Sequence, residues 1–185
     1  MVLFLDFDGV LHADSVYKLP KKPIELRAPG ALMMHAPVLE AVLDELDPDG
    51  KVGIVLSTSW VRFLGFSKSL KKMTPGLRSR VKGATWHSGM KKSNGQPYSR
   101  ARDLFDGVPR WQQIEWYVNR HAVQQWLAID DLHSGVEFWP DDLRGHLVLT
   151  DGFKGLGCQS VQAELKLKLK ALMASSQYGG DSEFD

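Results

Sequence analysis

Three stretches of this sequence place oxygen-bearing side chains directly after short apolar runs. Residues 2–5 lead into Asp6-Phe7-Asp8-Gly9, residues 52–56 into Ser57-Thr58-Ser59, and residues 126–129 into Asp130-Asp131. Apolar runs of this length without alternation read as buried parallel strands. If those strands are neighbours, four carboxylates and several hydroxyls converge at one edge. Carboxylates held so close repel one another and resist ionisation. A bound hard cation resolves the repulsion, and an all-oxygen donor set suits Mg²⁺. Arg110, some twenty residues before Asp130, begins a helix behind Pro109 and offers a fixed positive charge to the same edge. Metal, carboxylate nucleophile, hydroxyl and cation are the parts that phosphoryl transfer needs: neutralised phosphate charge, a positioned attacking group and donors for the equatorial oxygens.

Plainer readings compete at each position. Asp-Gly pairs form turns after strands, and Ser57, Thr58 and Ser59, like Asp130 or Asp131, can cap the helix that follows. A calcium-binding helix–loop–helix fails, because the twelfth position counted from Asp6 is Tyr17, where a bidentate Glu belongs. Trp60, Trp111, Trp116, Trp126 and Trp139 read as packing residues. His12 lies near the first acidic pair, within reach of a substrate, whereas the other five histidines show no metal-ligand spacing. Cys158, the one cysteine, reads as a small buried hydrophobe. Asp151 ends a fourth strand near the same edge and is given no chemistry.

The elements needed to position these groups alternate along the chain. Pro37 opens a helix whose apolar residues Leu39, Val42, Leu43 and Leu46 recur at helical spacing. Asp47-Pro48-Asp49-Gly50 ends it. Residues 61–73 predict one basic helix stopped before Pro75, and residues 83–108 a long loop or small insertion. Trp111, Ile114 and Val118 share a face of the helix after Pro109. Residues 147–149 make a fourth strand. The LKLKLK run near the end could alternate as a strand, but the spacing of Val161, Leu165, Leu169 and Leu172 favours a helix over 160–173. Residues 175–185 read as a polar, disordered tail. Strands alternating with helices indicate an α/β fold around a parallel sheet, with the ligand site beyond the carboxyl ends of the strands.

These residues also resemble a family. VLFLDFDGVLH matches the first motif of the haloacid dehalogenase (HAD) superfamily, in which apolar residues precede Asp-x-Asp-Gly. IVLSTSW matches the second motif, Arg110 the basic third and WLAIDD the fourth, in the right order over residues 2–131. The phrasing LSTSW and AIDD resembles the small branch associated with RNA-repair proteins. The resemblance implies a three-layer Rossmann-like fold over residues 1–174 and a Mg²⁺-dependent phosphohydrolase. Asp6 would be the nucleophile that forms a phosphoaspartyl intermediate, and Asp8 the acid and then the base. Mg²⁺ would be held by Asp6, the backbone carbonyl of Asp8 and the pair Asp130 and Asp131, with Asp131 preferred as direct ligand. Ser57 would bond a phosphoryl oxygen and Arg110 would stabilise its charge. The family usually has Lys at the third motif, so Arg100 and Arg102 remain alternatives to Arg110.

Charge and length bear on the substrate. The chain has 185 residues and a formal charge of +1, but residues 62–110 hold twelve Lys or Arg against Asp103 and Asp106, leaving that segment at +10 and the remainder at −9. Trp86, His87 and Tyr98 fall among those bases, as stacking groups do on nucleic-acid surfaces. Only about thirty residues separate the first motif from the Pro37 helix, too few for a full cap over a small substrate. An open site suits a phosphate on a macromolecule, so the expected partner is an RNA or DNA end or a nucleotide. The alternatives are a catalytically weak nucleic-acid-binding module and a phosphatase of an unrelated small metabolite. A phosphorylation-controlled receiver domain fits poorly, because its acceptor Asp follows an interior strand where this chain has Ser57. No apolar run approaches the roughly 20 residues of a membrane span, and the opening MVLFLDFDG lacks the basic start of a secretory signal. The expectation is a cytoplasmic single domain.

Overall fold

Side chains that leave a strand on alternate faces need apolar cover on both sides, and the sheet of this protein receives it from two layers of helices. The structure, a computed structural model, describes residues 1–19, 22–90, 104–105, 107–132 and 138–178. In chain order the elements are β1 (Val2–Leu5), β2 (Val16–Lys18), β3 (Ile24–Leu26), α1 (Ala36–Leu46), β4 (Gly53–Leu56), α2 (Ser59–Leu64) and α3 (Phe66–Leu70). They continue with α4 (Pro75–Arg80), β5 (Val81–Ala84), α5 (Arg110–Arg120), β6 (Trp126–Asp131), β7 (Leu147–Thr150) and α6 (Gln159–Tyr178).

The main sheet runs β5-β4-β1-β6-β7 with every pairing parallel. Leu5 lies opposite Leu56 on one side and Ile129 on the other. The chain therefore builds outward from β1 in both directions, and the crevice at that switch point opens where Asp6, Ser57 and Asp130 leave their strands. Leu3, Leu5, Ile54 and Leu127 point into one core with α1 and α6; Phe4, Val55 and Ala128 point into a second with Ile114 of α5 and Trp139. These are the three layers of a Rossmann-like α/β fold. Among the described residues the segment after β1 carries only the β2–β3 hairpin, and no large cap is present.

Local chemistry explains where the elements depart from expectation. The basic stretch 61–73 is two helices rather than one, because Gly65 adopts a left-handed φ of 89° between α2 and α3. Pro75 begins α4 instead of stopping a helix, with Thr74 accepting the Leu77 amide at 3.4 Å as its cap. Within 83–108, Val81–Ala84 forms the edge strand β5, while residues 91–103 and 106 lie outside the described residues. The LKLKLK run is helical: Leu165 and Leu169 are buried, Leu167 is exposed, and Lys166 and Lys168 reach Glu45 and Glu164. That helix extends through Tyr178, so residues 175–178 belong to α6 and not to a tail; residues 179–185 lie outside the described residues. Among the described residues no helix is long and apolar enough to cross a membrane.

One buried ion pair sits at the opposite edge of the sheet. Asp47 accepts the Lys51 and Val52 amides at 2.9 and 2.8 Å and the Arg80 guanidinium at 2.6 Å. Burial pushes its carboxyl up, but the two amides and Arg80 together hold it below the usual carboxylate range. An acid depressed on folding stabilises the native state above its unfolded pKa and loses that contribution as pH falls through the folded value. Asp47→Ala is therefore expected to cost about 3 kcal/mol at pH 7, measured by urea unfolding, with the gap between variant and parent closing below about pH 4. A gap that persists in acid would refute the assignment.

Candidate active site

β1 ends at Leu5, and the next residue turns its carboxylate inward above the sheet. Asp6 is 4% exposed; its Oδ1 accepts the Phe7 amide at 2.8 Å and its amide donates to Ile129 O at 3.2 Å. Asp130 and Asp131, the last residues of β6, are also buried, and the Asp131 amide donates to Asp130 Oδ1 at 3.0 Å. One oxygen from each of Asp6, Asp130 and Asp131 lies within 4.8 Å of the others. The loop after β1 must pass close beside this trio, which explains Gly9: its φ is 69°, and a Cβ there would stand 2.2 Å from Asp131 Oδ2. Thr150, at the end of β7, donates to Gly9 O at 2.7 Å and pins the loop down. Gly9→Ala is expected to displace Asp131 and to lower divalent-cation affinity roughly 10–100-fold, read by calorimetric titration. Unchanged affinity would mean that Asp131 moves aside without consequence.

Arg110, the first residue of α5, ties the three strand ends together. Its Nη2 lies 3.3 Å from Asp6 Oδ2, its Nε 3.1 Å from Asp130 Oδ2, and its Nη1 donates to the Ser57 carbonyl. Burial disfavours the guanidinium charge, but Asp6, Asp130, Asp131 and Asp8 outweigh it and hold the Arg110 pKa above its ordinary value. Burial raises the Asp6 carboxyl; Arg110 opposes that, and Asp8 adds to it. Among the described residues, three buried carboxylates against one guanidinium leave two negative charges, the charge one divalent cation would neutralise. An all-oxygen donor set of that charge fits a hard cation. Ser57 Oγ is buried and has no hydrogen-bond partner among the described residues, a hydroxyl free for a ligand oxygen.

Asp8 lives in a different setting two residues on. Its side chain is 20% exposed and is held by the Trp60 indole, whose Nε1 donates to both carboxylate oxygens at 2.8 and 3.0 Å. His12 Nε2 lies 3.1 Å from Asp8 Oδ1, while its Nδ1 accepts the Met33 amide at 3.4 Å, so Nε2 carries the donated hydrogen. The two aspartates of the motif thus face different partners: a second acid pair and a guanidinium for Asp6, an indole and an imidazole for Asp8.

All six candidate residues, Asp6, Asp8, Ser57, Arg110, Asp130 and Asp131, come to the carboxyl edge of the sheet. A family model described as the HAD domain in Swiss Army Knife RNA repair proteins matches residues 2–161. The chain belongs to that family. No curated protein and no solved structure matches it. As a HAD domain it is of the hydrolase type, in a family that generally uses a divalent metal, and its buried aspartate trio is able to bind one.

Other residues of the HAD domain take roles the spacing did not indicate. His12 is fully buried behind Asp8, so it supports that carboxylate and offers no surface to a substrate. Trp60 does pack in the core, at 3% exposure, yet its N–H also serves Asp8. Thr58 caps α2 and its hydroxyl bonds Asp6. Trp86 is 6% exposed and forms a wall, not a free stacking platform. Cys158 is only partly buried, with Sγ 3.1 Å from Ser160 Oγ, so it is no core hydrophobe. Asp151 is exposed and accepts the Phe153 and Lys154 amides. Arg100, Arg102 and Tyr98 lie outside the described residues.

Proposed function

We propose that this HAD domain is a Mg²⁺-dependent phosphomonoester hydrolase that works through a phosphoaspartyl intermediate on Asp6. The observation that supports it best is the contrast between the two motif aspartates: Asp6 among carboxylates and Arg110, Asp8 apart on Trp60 and His12. Asp6 and Asp131, with Asp130 and the Asp8 carbonyl, would hold Mg²⁺, which when bound offsets phosphate charge and brings the reacting oxygens together.

The chain's own groups do the rest. Arg110 and the Ser57 hydroxyl donate to phosphoryl oxygens and aim phosphorus at Asp6. An Asp6 oxygen forms a bond to phosphorus as the bond to the ester oxygen breaks, and Asp8 gives that oxygen its proton. Asp8, now a carboxylate, takes a proton from a water that attacks the same phosphorus. The phosphorus–Asp6 bond breaks, inorganic phosphate leaves, and Asp6 is restored. Trp60 and His12 hold Asp8 in place for both proton transfers.

The substrate in this reading is a nucleotide or a nucleic-acid terminal phosphate, in keeping with the RNA-repair proteins of the matching family and with the basic 62–110 segment as the partner surface. The reading places the domain in the cytoplasm, where a lone thiol such as Cys158 stays reduced. A screen with Mg²⁺ against small phosphomonoesters, nucleotides, and 3′- or 5′-phosphorylated RNA and DNA tests it. Phosphate release from nucleotide or end-phosphate substrates is expected. Release from unrelated small esters alone would reassign the substrate, and no release from any would leave a binding module.

A further inference from the structure

Arg110 and Thr58, both neighbours of Asp6, line one side of a cleft of about 500 Å³ whose other walls include Arg62, Trp86, Phe105 and Phe138; the aspartates themselves do not line it. A second cleft of about 590 Å³, lined by Arg62, Phe63, Phe66, Trp86 and His87, adjoins it. Arg62 and Trp86 line both, so the two are consecutive rooms divided by one guanidinium and one indole. Each is large enough for a small-molecule group, since ligand pockets run from roughly 300 to 1,000 Å³.

The lining is unusual for a surface. Phe63 is 73% exposed, Phe66 37% and Phe138 68%, three aromatic rings in water where the core already holds its own. The left-handed turn at Gly65 brings Phe63 and Phe66 to the same cleft. Residues 62–90, which carry most of the second cleft, hold seven Lys or Arg and no acid. Of these Arg80 is spent on Asp47, Arg78 donates to the Met73 carbonyl at 3.1 Å, and Arg62 has an interaction of its own. Rings that offer flat apolar faces, set in a cationic segment beside the cleft that Arg110 lines, are complementary to a chain of planar bases joined by anions.

We infer that the ligand is a single-stranded nucleic-acid end at least two nucleotides long. The nucleotide bearing the reacting phosphate occupies the first cleft, and its neighbour stacks on Phe63 and Phe66 in the second. This rests on the phosphatase reading only for which nucleotide takes the first cleft; the length dependence stands without turnover.

Binding by the Asp6→Asn domain, with Mg²⁺ at low salt, tests it. The probes are 3′- and 5′-phosphorylated mono-, di- and tetranucleotides of RNA and DNA. Affinity is expected to rise about tenfold or more from mono- to dinucleotide. Phe63→Ala with Phe66→Ala, both at exposed positions, should erase that gain and leave mononucleotide affinity unchanged. Equal affinity for one and two nucleotides, an equal loss for both in the double variant, or equally tight binding of a phosphorylated acidic peptide would overturn the inference. Length-dependent binding beside a parent domain that hydrolyses nothing would sink the phosphatase and keep the nucleic-acid track; hydrolysis without length dependence would do the reverse.

Discussion

Asp6→Asn is expected to lower kcat by about 10⁴-fold or more while raising the melting temperature of the metal-free protein by a few degrees. The amide is isosteric with the carboxylate and keeps an oxygen for the Phe7 amide, now at 2.8 Å. It cannot form the bond to phosphorus that the acid forms, so chemistry stops while binding survives. The stability gain follows from burial, which holds the Asp6 carboxyl above its ordinary pKa, with Asp8 adding to the effect. An acid raised on folding destabilises the native state once it is ionised, so removing its charge relieves that cost at neutral pH. Arg110 keeps Asp130 and the Ser57 carbonyl as partners. Steady-state kinetics on the substrates of the screen, beside thermal melts, check both halves. Residual kcat within tenfold of the parent would remove Asp6 as nucleophile; lost activity with a lowered melting temperature would mean that the carboxylate holds the fold.

Divalent cation carries the second large effect. Chelation is expected to reduce turnover to background, and Mg²⁺ at about a thousand times its Kd should stabilise the protein by about 4 kcal/mol. For a domain of this size that is a melting shift of roughly 10 °C. The source is electrostatic: among the described residues one guanidinium, paired with Asp6 and Asp130, faces three buried carboxylates, and the ion balances what Arg110 leaves over. Asp131→Asn should abolish both the shift and the activity, because it removes one donor of the trio. Thermal melts across a Mg²⁺ titration decide it. A melting temperature indifferent to Mg²⁺ and Mn²⁺ would show that the protein's own groups balance the acids.

Much of this site was readable from residue types because each functional group follows a strand that is apolar throughout. Such strands can only lie inside a parallel sheet, and a parallel sheet brings its carboxyl ends together; hence Asp6, Ser57 and Asp130 could be grouped before any coordinates. The partners of Asp8 were not readable. Trp60 packs like any core indole, and nothing in its spacing distinguishes an N–H aimed at solvent from one aimed at a carboxylate 52 residues away. His12 had a visible signal, four residues after Asp8, but the contacts that turn it inward come from the Met33 amide and from the Trp60 ring, 5.5 Å away, which its neighbours do not announce. The hairpin itself escaped because three-residue strands leave no period to detect. Pro75 shows the other kind of miss: proline stops one helix and starts another with equal ease, and only Thr74 in front of it tells which.

The position of β1 has a consequence for the nascent chain. Val2 pairs with Gly53 on one flank and with Trp126 on the other, so β1 keeps one bare edge until β6 has been translated. Throughout that interval Leu3-Phe4-Leu5 is an apolar ribbon with an unpaired flank, the kind of surface on which nascent proteins aggregate or are held by chaperones. The acidic trio is then completed late and at a stroke, when Asp130 and Asp131 emerge to meet an aspartate made more than a hundred codons before.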